Sequence, residues 1–504
     1  MTTTAPNHAP SSVDPPTLQA ATDAPQEAAG TPGSVLFDVW LPRVILGALP
    51  LVLLRPLVVR DPDTFWHIRA GHQLLASGQF VATDTWSGFS SNPWMLHEWA
   101  PEALLAVGDS VAGLAGVAWL WQLGLVLLIV ALIAVCRPQG TLVQTVIGAT
   151  AGLLCALPNL GPRPQIVSLI FLAVSVGAWL RTADDRRPRR WLVAMGWVWA
   201  CCHGMWFLGP LVGFVVVAGM ALQDHTQGRL DLRATGRLAL VPALTVVAAG
   251  LTPVGPRLLT APLTVSGYGR FVMEWAPPDF STPIPALTMG CLVLVVLVWA
   301  RSSRQVSWIR VGLWALALGW CLLYSRTVAV AAVIIAPLVT SALNQAQART
   351  AEASRAIGQL LRPEKWAVLT GVVLVMLLSI PMADRRPGSV PSGLDPSLSA
   401  LPRGTVVLND YALGGWLDWA HPELAPVIDG RTEIFSLDYV TDYVNATQAA
   451  PGWQKTVAAT GARVALLSDS SSLGDGLVNQ LGWTVVKVAD HYRLLEAPGG
   501  VPAS

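Results

Sequence analysis

Charge is what this sequence has least of. Asp, Glu, Lys and Arg together make up 12 % of 504 residues, where a soluble globular chain carries about 25 %. Hydrophobic residues reach 53 % and the mean hydropathy is +0.51. That composition excludes a soluble enzyme and describes a polytopic membrane protein. The net charge of +1 leaves no basic excess to neutralise phosphates, which excludes nucleic acid as a partner. Cysteine is scarce: six residues, at 136, 155, 201, 202, 291 and 321, all inside apolar stretches. Neither a disulfide framework nor a CxxC metal site is expected from them. Residues 1–34 contain six prolines and no Lys or Arg. Without a basic n-region they are no secretory signal, and they read as a disordered cytoplasmic tail.

Long apolar runs are what is there. Eleven segments can span a bilayer: 36–59, 113–136, 141–157, 165–181, 191–205, 208–223, 238–252, 284–300, 308–324, 327–344 and 366–382. They are nearly free of Asp, Glu and Lys, which weighs against an ion-coupled transporter. The segment 181–190 carries five Arg, 224–237 and 301–310 three each, and 345–365 three plus Lys365. By the positive-inside rule these face the cytoplasm. The N-terminus is then inside, and 60–112, 158–164, the turns at 203 and 324–326, 253–283 and the tail from 384 are outside. The expected organisation is a transmembrane domain over 35–383 followed by an extracytoplasmic α/β domain over 384–504. In that last domain, strands are expected at 404–409, 425–429, 463–468, 483–489 and 492–496, with helical patches at 413–420 and 436–448.

This sidedness puts the chemistry-bearing residues on the outer face. Asp61 and Asp63 follow the first span directly. A carboxylate there can act as a general base, or the D-x-D pair can coordinate a divalent cation such as Mg or Mn. The alternative is a helix cap with Pro62 at N1. His67 shares a helical face with Asp63. Asp84 lies further along the same loop. His97 and Glu98 open an amphipathic stretch over 97–108, but position 101 is Pro, so no HExxH zinc site exists. Arg163, Arg257 and Arg326 lie in outer turns, where a guanidinium suits a lipid phosphate; snorkelling, or pairing with Glu274 and Asp279, is the alternative. His203, in WACCHGMW, is a candidate phosphate donor or a structural hydrogen-bonder. Asp429 and Arg431, with Asn409, Asp410 and Glu433, sit at strand ends where α/β domains build sites, or they form turns and an internal ion pair.

The loop Asp61-Pro-Asp63-Thr-Phe-Trp-His67, followed by Ala70-Gly71 and Ser77-Gly78, resembles the first outer loop of the C-type glycosyltransferase (GT-C) superfamily. More narrowly, HEWAPE at 97–102, RPQ at 163–165, WACCHG at 199–204, TPVG at 252–255, EWAPPDF at 274–280, NDYALGGWL at 409–417 and IDGRTEI at 428–434 resemble a bacterial branch of it. The resemblance implies a transferase in the bacterial cytoplasmic membrane that moves a sugar from a polyprenyl-phosphate donor to a glycan or lipid acceptor. Asp63 or Asp61 would be the base, and His67, Asp84, His97, Glu98, Arg163, His203, Arg257, Arg326, Asp429 and Arg431 would bind substrate. Proline separates the two acids here, where many members have them adjacent. Two other classes stand beside this one: a non-catalytic scaffold for cell-envelope assembly, and a lipid or polysaccharide transporter.

Overall fold

A computed structural model describes residues 32–55, 57–260, 267–302, 305–347 and 360–500. Most of the expected N-terminal tail lies outside these residues. The first apolar helix is α1 (Pro32–Leu53), and α2 (Pro62–Ser77) and α3 (Trp99–Ala112) follow in the segment expected to be the first outer loop. The bundle continues with α4 (Leu114–Cys136), α5 (Leu142–Ala156), α6 (Gln165–Asp185), α7 (Trp191–Cys202), α8 (Leu208–Thr226) and α9 (Leu232–Ala249). It closes with α10 (Pro283–Arg301), α11 (Trp308–Leu323), α12 (Val328–Ala346) and α13 (Arg362–Met382).

Among the described residues, eight helices are long and apolar enough to cross a membrane. The other three expected spans, in α1, α7 and α11, are apolar helices of 10–17 residues. The chain is a multi-pass membrane protein. α12 is the axial helix, 89 % of its best window being buried. Its small and β-branched residues let α5 approach closely, the packing that works where lipid removes the hydrophobic drive between helices.

The segment 60–112 is not a loose connection. Asp61 caps α2 by accepting the Asp63 backbone N–H at 3.1 Å, with Pro62 in the first turn. A two-residue hairpin, β1 (Val81–Ala82) against β2 (Trp94–Met95), leads into α3. α2 and α3 cross at Gly71, where a Cβ would fall 1.9 Å from the Glu102 carbonyl oxygen. Only glycine permits that approach.

The C-terminal part forms a five-stranded sheet of order β4-β3-β5-β7-β6. The strands are β3 (Val406–Asn409), β4 (Ala425–Pro426), β5 (Val464–Ser468), β6 (Thr484–Ala489) and β7 (Tyr492–Glu496). β3 runs parallel to β4 and β5, and β7 is antiparallel to β5 and β6. The alternation expected from the sequence is present, with the helix Tyr411–Ala420 directly after β3. That helix packs on α2, so the outer loop and the sheet share cores. Phe65 and Ile68 lie with Leu413, Trp416 and Val464, and Trp86 and Trp94 with Val427, Ile428 and Leu467.

One buried ion-pair knot joins these layers and corrects an expectation. Arg431 donates to Asp84 at 2.7 Å and to Asp429 at 2.6 and 3.0 Å. Its guanidinium lies 3.8 Å from the Trp86 ring centroid and 4.5 Å from that of Trp94. All three ionic side chains have zero exposure. Asp84, Asp429 and Arg431 therefore spend their charges on one another and cannot reach a substrate. Asn409 and Asp410 are likewise used in tying segments together: the Asn409 carboxamide accepts the Val427 N–H and donates to the Ile428 carbonyl, and Asp410 accepts the Ser468 N–H. Removing one member of a buried pair strands the other charge. Arg431→Met should lower stability by about 3–5 kcal/mol in thermal unfolding of the detergent-solubilised chain. A loss under about 1 kcal/mol, the scale of an exposed pair, would contradict this assignment.

Candidate active site

The segments expected outside meet at one end of the bundle. They surround a cavity of about 740 Å³ that opens to solvent. Ends of the apolar helices make its floor, and α2, α3 and the sheet domain make its roof. Two clusters of ionisable groups line it.

The first cluster centres on Arg163, in the turn between α5 and α6. Its Nε donates to Asp61 Oδ2 at 2.6 Å, and its Nη1 lies 3.0 Å from both Asp63 Oδ2 and Glu274 Oε1. Asp61 is thus both cap and ion partner, with both oxygens committed. Asp63 faces the cavity and also accepts the Trp66 indole N–H at 3.3 Å. Burial raises the Asp63 carboxyl above its ordinary value, opposed by Arg163 and supported by the Asp61 charge. Gly430 covers this pair so closely that a Cβ would lie 2.5 Å from both Asp63 Oδ1 and Trp66 Nε1.

The second cluster centres on Glu98. His97 Nε2, His203 Nε2 and His67 Nε2 lie 3.5, 3.4 and 3.7 Å from its oxygens. The Met205 N–H donates to His203 Nδ1 at 3.2 Å, and Ser168 Oγ lies 3.0 Å from that nitrogen. Nδ1 is therefore an acceptor, which places the ring proton on Nε2, towards Glu98. Burial lowers His203 to about 4, so it is neutral. Burial would also lower His97, but its hydrogen bond to Glu98 raises it to about 9. Burial would raise Glu98, yet His203 and His97 hold it well below the usual carboxylate range. His67 Nδ1 pairs with buried Glu102 at 3.0 Å.

Arg326 bridges the clusters from the turn between α11 and α12. One of its nitrogens donates to Gln165 at 3.1 Å, and its Nε lies 4.0 Å from Glu274 but makes no hydrogen bond. Arg257, expected to share in phosphate binding, is exposed on the 3-10 turn after α9 and does not line the cavity. The cavity thus gathers Asp63, His67, His97, Glu98, Arg163, His203 and Arg326, with Asp61 just behind. It adds Glu433, one of the strand-end candidates, and Tyr411, Gln165, Tyr268 and Trp275, which were not singled out for a role. The motif runs EWAPPDF, NDYALGGWL and IDGRTEI already contained Trp275, Tyr411 and Glu433. Tyr268 and Gln165 had no such signal beyond the edge of RPQ.

The fit of a divalent cation to the D-x-D pair can be judged from these contacts. Asp61 and Asp63 direct one oxygen each at Arg163 and the other at an N–H. Among the described residues no three His, Cys, Asp or Glu side chains converge as a ligand set. The guanidinium supplies the positive charge here, and the acids as oriented do not fit a divalent cation.

Neither a protein-family model nor a curated protein sequence matches the chain. Solved structures do. The oligosaccharyltransferase of Archaeoglobus fulgidus, in its apo form, matches with a TM-score of 0.54 at 11 % identity, over 86 % of this chain and 69 % of its own. A structure of that archaeal enzyme with an inhibitory peptide and a dolichol-phosphate gives 0.52 at 11 %, over 85 % and 69 %. ArnT from Cupriavidus metallidurans covers 90 % of this chain and 97 % of its own at 16 % identity, with a TM-score of 0.49. The chain shares the fold of the archaeal oligosaccharyltransferase. At such identities the likeness concerns architecture, and the chemistry rests on the site.

Two expected outcomes follow from this geometry. In Gly430→Ala, the added methyl should displace Asp63 and Trp66 and lower the unfolding temperature of the detergent-solubilised chain; an unchanged unfolding temperature would mean the contact is loose. The second is a pH dependence. An unfolded imidazole titrates near 6.5, whereas His97 titrates at about 9 in the fold. Its contribution to stability is therefore complete below about pH 6.5 and lost as pH rises through about 9. Unfolding temperatures between pH 6 and 9.5 should fall for wild type and stay flatter for His97→Gln, and equal slopes would overturn the assignment.

Proposed function

We propose that the chain is a membrane glycosyltransferase that moves a sugar from a polyprenyl-phosphate donor to an acceptor hydroxyl at the outer face of the bacterial cytoplasmic membrane. The observation that carries this reading is Asp63: of the two acids after the first span, it is the one that faces the cavity, and burial raises its carboxyl. A base tuned in that direction is closer to neutrality, where proton abstraction is most effective.

In the proposed step, Asp63 takes the proton of the acceptor hydroxyl while that oxygen bonds to the anomeric carbon from the face opposite the leaving group. The carbon–oxygen bond to phosphate breaks, and its electron pair departs with the polyprenyl phosphate. A phosphate needs no strong general acid to leave, so cations suffice. Arg326, with its unpartnered Nε, and the His97 imidazolium are the groups best placed to receive it. Arg163 is largely committed to carboxylates. Trp66, Tyr268, Trp275 and Tyr411 provide apolar and hydroxyl surface for sugar rings. The archaeal enzyme with this fold was solved with a dolichol-phosphate, which supports a lipid phosphate as the donor class.

The test is sugar transfer from a panel of radiolabelled polyprenyl-phosphate sugars by protein reconstituted in membranes. Asp63→Asn should lose about 10²–10⁴-fold in turnover, the scale of a general base. Asp61→Asn should lose less, because asparagine keeps the cap and gives up only the ion pair to Arg163. Equal turnover in wild type and Asp63→Asn would remove Asp63 from the role. No turnover by folded wild type with any donor would favour a non-catalytic scaffold.

A further inference from the structure

A second cavity lies at the opposite end of the bundle, where the turn after α6 meets the ends of α8 and α9. It opens to solvent and encloses about 1190 Å³. Four arginines line it, Arg186, Arg190, Arg229 and Arg237, against two acids, Asp224 and Asp231. One acid is ion-paired and the other caps a helix. Asp224 takes a bidentate pair from Arg186 at 2.7 and 3.0 Å. Asp231 caps α9 by accepting the N–H groups of Arg233 and Ala234. Among the described residues no carboxylate pairs with Arg190, Arg229 or Arg237; Arg229 reaches only the Gln227 side chain.

Positive-inside arginines serve topology wherever they lie, so their number is not informative. Their convergence on one cavity with an apolar wall is. Val217, Met220 and Leu238 form that wall and are buried. Arg237 also stands at the end of a stripe on α9. Leu240, Leu244 and Val247 follow it at i+3, i+7 and i+10, and all three are exposed, at 54 %, 43 % and 59 %. In a membrane protein an exposed apolar stripe faces acyl chains. A guanidinium at its end sits at headgroup depth, and Arg matches phosphate oxygens bidentately.

We propose that this cavity binds an anionic phospholipid, with the phosphodiester on Arg190, Arg229 and Arg237 and an acyl chain along the Leu240–Leu244–Val247 stripe. Basic pockets between membrane helices hold such headgroups. The site is separate from the acidic cavity and does not depend on the transfer reaction proposed above. A phosphate group could also come from solution, but a soluble anion has no use for the stripe.

The test uses the full-length chain in a non-ionic detergent, with native mass spectrometry and thermal unfolding as readouts. The probes are phosphatidylglycerol, phosphatidylcholine, glycerol 3-phosphate and inorganic phosphate. Phosphatidylglycerol should bind and stabilise, phosphatidylcholine far less, and the two soluble phosphates should not raise the unfolding temperature at millimolar concentration. The double variant Arg190→Gln/Arg237→Gln should bind phosphatidylglycerol at least about tenfold more weakly, since charge-assisted bonds to phosphate are lost. Arg301→Gln removes the same charge at the same end of the bundle, outside the cavity, and should bind as wild type does. Should the double variant not fold, binding by wild type must still weaken as salt rises. Equal binding of the two lipids, or equal weakening by Arg301→Gln, would overturn the proposal. Equal stabilisation by glycerol 3-phosphate would replace the lipid with a soluble phosphate.

Discussion

Three carboxylates from two distant segments crowd the mouth of the outer cavity, and Arg163 is the cation that holds them there. At about 4 Å and an effective dielectric of 20, each like-charged pair would repel by roughly 4 kcal/mol. One guanidinium within 2.6–3.0 Å of Asp61, Asp63 and Glu274 reverses that balance. Its position in the chain gives it reach. Arg163 belongs to the turn between two helices of the bundle, the acids at 61 and 63 to the start of α2, and Glu274 to the connection before α10. The contact sets where the roof of the cavity meets its floor, and Asp63 takes its orientation from it.

The molecule uses a second arginine in the opposite way. Arg431 has zero exposure, stacks on two tryptophans and is balanced by Asp84 and Asp429. Arg163 is 22 % exposed, and its acids lie at the rim of open space. Similar acid–arginine sets thus have different consequences, and the difference is desolvation. A fully dried pair has no capacity to exchange partners and serves as a fastener. A partly hydrated one beside a cavity can trade a carboxylate for an incoming group. The fastener lies beside the site because Gly430, next to it in sequence, must sit against Asp63 and Trp66.

Much of this was legible in the sequence because bilayers impose a strong pattern. The eleven apolar helices, the strands at 464–468, 484–489 and 492–496, and the grouping of Asp63, His67, His97, Glu98, Arg163, His203 and Arg326 follow from hydropathy, arginine placement and motif runs. What was not legible depends on pairing across long stretches of chain. Nothing near Asp84 reveals that it meets Arg431, 347 positions away, so a buried pair and a ligand site look alike. Arg257 carries the same residue type in the same kind of outer turn as Arg163, yet it points away because the 3-10 turn after α9 does. The D-x-D spacing suggested a cation site; in the fold both acids face a guanidinium, from 102 positions beyond Asp61.

Glu98 and Asp63 are pushed in opposite directions, while burial raises Glu102 and Glu433 as it does Asp63; of the raised acids, Asp63 is the one that lies against Arg163. Glu98 is surrounded by imidazoles that favour its charge, with His97 protonated beside it and His203 presenting an N–H. It stays anionic and fixes ring orientations. Asp63 has less compensation for its burial. Pairs of acids driven apart in this way mark the fixed member and the titrating member of a site. If Asp63 is the base, each proton it takes removes one of the three counter-charges of Arg163. Nη1 would still be held by Glu274 at 3.0 Å, with less counter-charge around it, and Arg163 lines the cavity with Arg326, where a departing phosphate would bring negative charge. Proton uptake and anion release would be coupled through one guanidinium, with no other moving part required.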